Sequence, residues 1–232
     1  MEFEKQLTII ITASFIRSHP SIKIIKETIE SLKLINLSND TRIILAHDYS
    51  DNPLFLEYIN NLKDYIKFNK NIEIIIRKNK GHLTGNIRNV IDLIHTKYIL
   101  IIQHDLPFIR NFFIEKVIED MEIDEGLKHV RFNKRRNKKY KYDAINDLFG
   151  LQKKVKNFVY TRTPAWSDNN HICLTSYYKD LILKECLDGK PMEYFLQGKT
   201  IDEIVHKKYG TYLFGNINHR SFIKSIKGRQ TK

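Results

Sequence analysis

Four short apolar runs recur in the first hundred residues, and the stretches between them carry apolar side chains at helical spacing. Leu7-Thr8-Ile9-Ile10-Ile11-Thr12 shows no polar alternation, the pattern of a strand covered on both faces. Arg42–Ala46, Ile72–Ile76 and Tyr98–Ile102 repeat it. Between them, Ser21–Leu34 places Ile22, Ile25, Ile29 and Leu32 on one helical face, and Leu54–Phe68 sets Leu54, Tyr58, Leu62 and Ile66 at steps of four. Asn86–His95 reads as a third helix after a polar turn holding Gly81 and Gly85, and Ser21 is the expected N-cap of the first. Strand–helix alternation of this kind predicts right-handed crossovers and an α/β fold with a mostly parallel central sheet and helices on both faces. In such sheets ligands bind beyond the carboxyl ends of the strands.

The second half is less regular. Phe112–Met121 predicts a helix and His129–Phe132 a strand, whereas residues 143–160 are weakly patterned and 163–172 are polar and turn-rich around Trp166, the only tryptophan. Ser176–Leu187 and Ile201–Lys208 read as helices and Tyr212–Phe214 as a late strand. No repeat or Pro/Gly/Ser linker interrupts the chain, so one domain over residues 1–232 is expected, in halves 1–108 and 109–232.

Charge narrows the field. With 39 Lys and Arg against 27 Asp and Glu the chain carries +12, which points to an anionic ligand or surface. Two cysteines cannot form a disulfide scaffold, so Cys173 and Cys186 are expected as buried thiols in a reducing compartment. The first residues do not resemble a signal peptide and no apolar run could span a bilayer; a cytoplasmic protein without a transmembrane segment is expected. No Cys/His spacing suggests structural zinc.

Candidate chemistry follows from the strand ends: Thr12 and Ser14, Asp48 and Asp51, Lys78 and Lys80, His104 and Asp105 all belong on one sheet edge. Carboxylates and cations together suit a metal-bound phosphate ester. There is no G-x-G-x-x-G after the first strand and no G-x-x-x-x-G-K-[ST] anywhere, which argues against a dinucleotide oxidoreductase and a P-loop NTPase. Asp48 and Asp51 serve equally well as turn formers. Asp105 directly follows an apolar strand, where a carboxylate is costly without a partner.

The order of four pieces resembles the GT-A-fold glycosyltransferases of family 2: the first strand, Asp48-Tyr49-Ser50-Asp51, Gly85-Asn86-Ile87-Arg88-Asn89, and Tyr98–Asp105. The resemblance implies a nucleotide-sugar-binding first half and an acceptor-binding second half, with a UDP-sugar as the expected donor. Its donor set is Thr12, Ser14, Asp48, Arg88, Gln103, His104 and Asp105, with Thr12 and Asp48 at nucleobase and ribose and Arg88 near base or diphosphate. Asp105 would bind Mn²⁺ or Mg²⁺ bridging the diphosphate. The family's D-x-D reads Gln103-His104-Asp105 here, so one anionic ligand is missing.

In the second half the resemblance implies Asp168 as the base of an inverting transfer, with Glu193 in reserve, and His219 as a further metal ligand. Trp166 is either a platform for the acceptor sugar or a core anchor. The run Lys134–Lys141, with Tyr140 and Tyr142 beside it, would grip an anionic acceptor or nucleic acid, or is simply a solvated loop; the last is favoured because it has neither helical spacing nor a recognition motif. A nucleotidyltransferase and a nucleic-acid-binding module are the alternative readings.

Overall fold

The computed structural model describes residues 6–139, 149–164, 166–196 and 202–226. Tyr140, Tyr142, Lys141 and the basic tail from residue 227 lie outside them. The described strands form one nine-stranded sheet in the order β3-β2-β1-β4-β8-β5-β9-β7-β6. β1 (Leu7–Ala13), β2 (Arg42–His47), β3 (Ile72–Ile76) and β4 (Tyr98–Gln103) are parallel to one another, as their continuous apolar runs predict. Thr12 lies beside both Ala46 and Gln103, so the carboxyl ends of β1, β2 and β4 finish level. That register brings Ser14, Asp48 and His104 to a single edge.

Alternation along the strands divides the core. Ile9, Ile11, Leu45, Leu100 and Ile102 point to the face covered by α1 (Lys23–Ser31), α2 (Phe55–Ile66) and α4 (Ile114–Ile123). Ile10, Ile44, Ile99 and Ile101 point to the other, packed by α3 (His82–Val90) and the helical residues 175–185, which contain one π-helical stretch, Tyr178–Ile182. No helix among the described residues is long and apolar enough to cross a membrane.

Two local expectations in the first half differ. α1 begins at Lys23 with Ile22 as its N-cap and no side-chain cap, so Ser21 does not perform that role. α3 starts at His82, four residues ahead of the predicted Asn86, and takes Gly85 inside the helix. The glycine is there for packing: the Arg77 guanidinium lies across Gly81 and Gly85 and leaves no room for a Cβ at either.

The second half continues the sheet with short strands: β5 (His129–Arg131), β6 (Gln152–Lys154), β7 (Val159–Arg162), β8 (His171–Leu174) and β9 (Thr211–Phe214). β8 is antiparallel to both β4 and β5, β5 is parallel to β9, and β7 is antiparallel to β9 and β6. The sheet is therefore parallel only through its first four strands and mixed beyond. β6, β7 and β8 fall where the apolar pattern gives no strand. Their positions are fixed by tertiary hydrogen bonds instead. Asp120 of α4, fully buried, accepts from the backbone N–H groups of Asn157 and Phe158 and from the Tyr160 hydroxyl, at 2.8–2.9 Å. That carboxylate fixes the turn that leads into β7.

Candidate functional site

The carboxyl edge of β1, β2 and β4 is held largely by bonds to itself. The Asp48 N–H donates to the Ala13 carbonyl at 2.9 Å, and its buried carboxylate accepts from the Gly81 N–H at 2.8 Å, bracing β2 against the start of α3. Thr12 is buried and donates through Oγ1 to the Ile102 carbonyl at 3.2 Å. The Asn86 amide reaches the Ala13 carbonyl at 3.2 Å, an anchor that the sequence reading did not single out. Backbone N–H of His104 donates to the Thr12 carbonyl at 3.0 Å, and the Thr28 hydroxyl donates to the His104 carbonyl at 2.6 Å. Ser14 is half-buried beside them. Lys78 and Lys80 are exposed at the end of β3, and Asp51 is an exposed turn residue 3.7 Å from Arg17.

Arg88, expected near the base or diphosphate, is engaged elsewhere. Its Nε donates to Asp188 at 2.9 Å, and one terminal nitrogen donates to the carbonyls of Leu183 and Cys186 at 2.9 and 2.7 Å. Arg77 donates to the other Asp188 oxygen at 2.7 Å. The two arginines thus clamp residues 183–188 onto α3.

On the neighbouring stretch the end of β4 meets the start of β8. The Gln103 N–H donates to Asn170 Oδ1 at 3.0 Å, and the fully buried Asn170 donates in turn to the Leu106 carbonyl at 2.7 Å. Gln103 Nε2 donates to the Asp168 carbonyl at 2.9 Å and to Asp168 Oδ1 at 3.1 Å. Glu193, in the helix Met192–Leu196, accepts from the Ser167 hydroxyl at 2.5 Å and from the Asp168 N–H at 3.4 Å. Asp168 and its reserve are therefore one site. Burial, and then the negative charge of Glu193, push Asp168 up to about 7, against the smaller opposing pull of Lys134 and Gln103. The arrangement also gives position 103 a physical reason to be Gln. An Asp there would set a third negative charge against the pair, whereas the amide donates to it.

Two expectations are corrected. Trp166 is only 2% exposed, its ring packed 5.2 Å from His129 and 6.0 Å from His171, so it is a core anchor and not a platform for sugar. His219 does not meet Asp105. Residues 222–226 run antiparallel to 105–109, with Ile226 bonded to Asp105 and Phe222 to Ile109, so the chain moves away from Asp105 as it approaches His219. His219 instead stacks on Phe222 at 4.8 Å and lines a cavity of about 500 Å³ with Arg110, Phe112 and Phe214. Partial burial and the Arg110 charge lower its pKa.

Among the described residues no group of three or more His, Cys, Asp or Glu could enclose a metal. Asp105, half-buried just past β4, has no side-chain hydrogen-bond partner among those residues. A Mg²⁺-like ion keeps several waters and is commonly held by one or two carboxylates plus substrate phosphates. A lone carboxylate of this kind is compatible with an ion brought with a diphosphate, for which Asp105 would be the protein ligand.

No curated protein matches the sequence. The structure of S. aureus TarS 1-349 in complex with UDP-GlcNAc is similar over 98% of this chain and 60% of its own, with a TM-score of 0.60 at 10% identity. The mannosyltransferase PcManGT from Pyrobaculum calidifontis, in complex with GDP-Man and Mn²⁺, is similar over 90% of this chain and 56% of its own, with a TM-score of 0.57 at 10% identity. The chain thus spans less than two thirds of either, and at such identity the likeness is one of fold, the GT-A architecture expected from the motifs. The family model described as Glycosyl transferase family 2 matches residues 10–185, from β1 through the helical residues behind β8, and the chain belongs to that family.

Proposed function

We propose that this chain transfers a sugar from a nucleotide-sugar, a UDP-sugar in the first instance, to an acceptor hydroxyl with inversion at the anomeric carbon. The observation that carries the reading is the Asp168–Glu193 pair at the edge where β4 ends. A carboxylate with a pKa near 7 is a far better proton acceptor than an ordinary one and is still ionised at neutral pH in a useful fraction. In this reading Asp168 takes the hydroxyl proton while the acceptor oxygen bonds to the anomeric carbon and the bond to the diphosphate breaks. Glu193 keeps Asp168 basic, and Gln103 fixes its orientation. The braced edge around Thr12, Ser14, Asp48 and His104 would receive the nucleoside.

Asp105 would hold Mn²⁺ or Mg²⁺ at the diphosphate, where the ion supplies charge neutralisation to the leaving group. The Mn²⁺ and GDP-Man bound to PcManGT and the UDP-GlcNAc bound to TarS support the choice of ligands. The test is UDP-sugar turnover with and without Mn²⁺, scored as UDP release, for the native chain, Asp168→Asn and Asp105→Asn. Turnover lost in the first variant and Mn²⁺ dependence weakened in the second is the expected result. Unchanged turnover in both variants, or release of pyrophosphate in place of UDP, would overturn the proposal.

A further inference from the structure

The turn that carries Asp168 meets two fully buried side chains, His171 and Tyr178. His171 Nδ1 lies 2.7 Å from the Asn169 carbonyl and Nε2 lies 3.0 Å from the Tyr178 hydroxyl. A carbonyl only accepts, so Nδ1 carries a proton. Burial pushes His171 down to about 4; the bond to Asn169 opposes this and the Arg131 charge adds to it. His129, stacked on the same ring at 4.3 Å, is kept neutral by its own burial. The imidazole is therefore neutral near pH 7, and a neutral ring protonated at Nδ1 offers only a lone pair at Nε2. The Tyr178 hydroxyl has to donate to it. Burial, and after it Cys173 and Asp168, hold that hydroxyl well above its ordinary pKa and so in its protonated, donating form.

The rest of the turn is fixed from other sides. Ser167 Oγ accepts from the Asn169 side-chain amide at 2.7 Å while it donates to Glu193, and Asn170 is tied to Gln103 and Leu106. The bond from His171 adds the carbonyl of Asn169, the residue after Asp168. On its other side the Tyr178 oxygen lies 3.5 Å from the sulfur of Met192, the neighbour of Glu193. A single hydroxyl thus stands between the turn that holds Asp168 and the helix that holds Glu193. The backbone is irregular at this residue. Tyr178 opens the π-helical stretch Tyr178–Ile182, the one such stretch among the described residues. Single π-turns inside helices are uncommon and gather at functional sites.

We infer that Tyr178 and His171 are positioning residues for proton removal: Tyr178 donates to His171, His171 donates to Asn169, and this relay holds Asp168 in contact with Glu193. The inference deepens the transfer reading above and rests on it. Packing alone does not require the relay. The two rings stack at 13° with centroids 5.5 Å apart, a contact that phenylalanine at position 178 would make equally well. What phenylalanine lacks is the hydroxyl, and without it Nε2 is buried with no donor. His171 is then free to exchange its tautomer or turn its ring, and either change releases the Asn169 carbonyl. Asp168 is one peptide bond away.

The test compares the full chain with Tyr178→Phe by NMR and by the pH dependence of UDP-sugar turnover. Imidazole ¹⁵N shifts of the native chain should show His171 neutral and protonated at Nδ1 from about pH 6 to pH 8. In Tyr178→Phe the Asp168 carboxyl, followed by its ¹³C shift, should titrate lower by about half a pH unit or more, because a displaced carboxyl gains water and loses the neighbouring charge of Glu193. Its kcat should fall by about tenfold with KM for the UDP-sugar unchanged, and the acid limb should move with the carboxyl. A pair that serves packing alone would lower Tm and leave the Asp168 titration and the acid limb in place, and that result would overturn the inference. So would a native His171 that carries its proton at Nε2, a result that needs no variant to fold. If the native chain releases no UDP from a UDP-sugar, the transfer reading fails, while the His171 tautomer and the Asp168 titration still decide the relay.

Discussion

The two regions on either side of the β4–β8 pairing treat their polar groups in opposite ways. At the ends of β1, β2 and β4, the protein itself answers Asp48 through Gly81, Thr12 through Ile102 and the Asn86 amide through Ala13, although Asn86 Oδ1 is buried without a hydrogen-bond partner. At the start of β8 the chain places two carboxylates, Asp168 and Glu193, in contact and sets a cationic loop beside them. A second acid in the same region shows that this is not a general property of the later strands. Asp120 is fully buried where Asp168 is half-buried, and backbone N–H groups and a tyrosine hydroxyl satisfy it completely. The difference between Asp120 and Asp168 is the difference between a carboxylate that fixes a turn and one kept ready to accept a proton.

Substitutions can break that comparison. Asp168→Asn should lower kcat by roughly 10²–10⁴-fold, the usual range for a general base, with UDP affinity little changed in a titration. Asp120→Ala should do the reverse. Leaving two N–H groups and the Tyr160 hydroxyl buried without an acceptor should lower unfolding stability by about 3 kcal/mol in urea, while any protein still folded keeps its UDP affinity. Asp48→Ala leaves one buried N–H, that of Gly81, and should lower stability by about 1–3 kcal/mol with a parallel weakening of UDP binding.

The charges around Asp168 sharpen the comparison through pH. Lys134→Gln removes a cation that favours the ionised form, so the acid limb of the rate profile should move to higher pH. Stability follows the same group. Asp168 sits above its ordinary 3.8, so the native state retains a proton that the unfolded chain has released between about pH 4 and 7. Its contribution is present at low pH and is lost as pH rises through 7. Asp168→Asn should therefore narrow the difference in Tm between pH 5 and pH 8.

The sequence was informative where structure is local. Long β-branched runs need no partner to announce themselves, and β1–β4 lie within a residue of their predicted ends. Gly81 and Gly85 read as breakers, although Gly85 lies inside α3, because the guanidinium that requires their missing Cβ atoms belongs to Arg77. β6, β7 and β8 escaped because polar residues interrupt any apolar run there and their placement depends on partners remote in sequence, such as Asp120 for β7. Asp168 and Glu193 were each legible as acids in a polar setting. Their contact was not, since it crosses 25 residues and depends on how the helix at 192–196 settles against Ser167. The position of Trp166 was misleading for the same reason: its polar neighbours Ser167 and Asp168 meet Glu193 while the ring faces His129.

The central claim is that Glu193 holds Asp168 in a basic state for proton removal. The most direct test is the pH dependence of kcat for UDP-sugar turnover in the native chain and in Glu193→Gln. The account predicts an acid limb near pH 7 in the native chain that moves to lower pH when the neighbouring charge is removed, because burial alone then raises Asp168. A limb that stays in place, or that persists in Asp168→Asn with the rate intact, would contradict it.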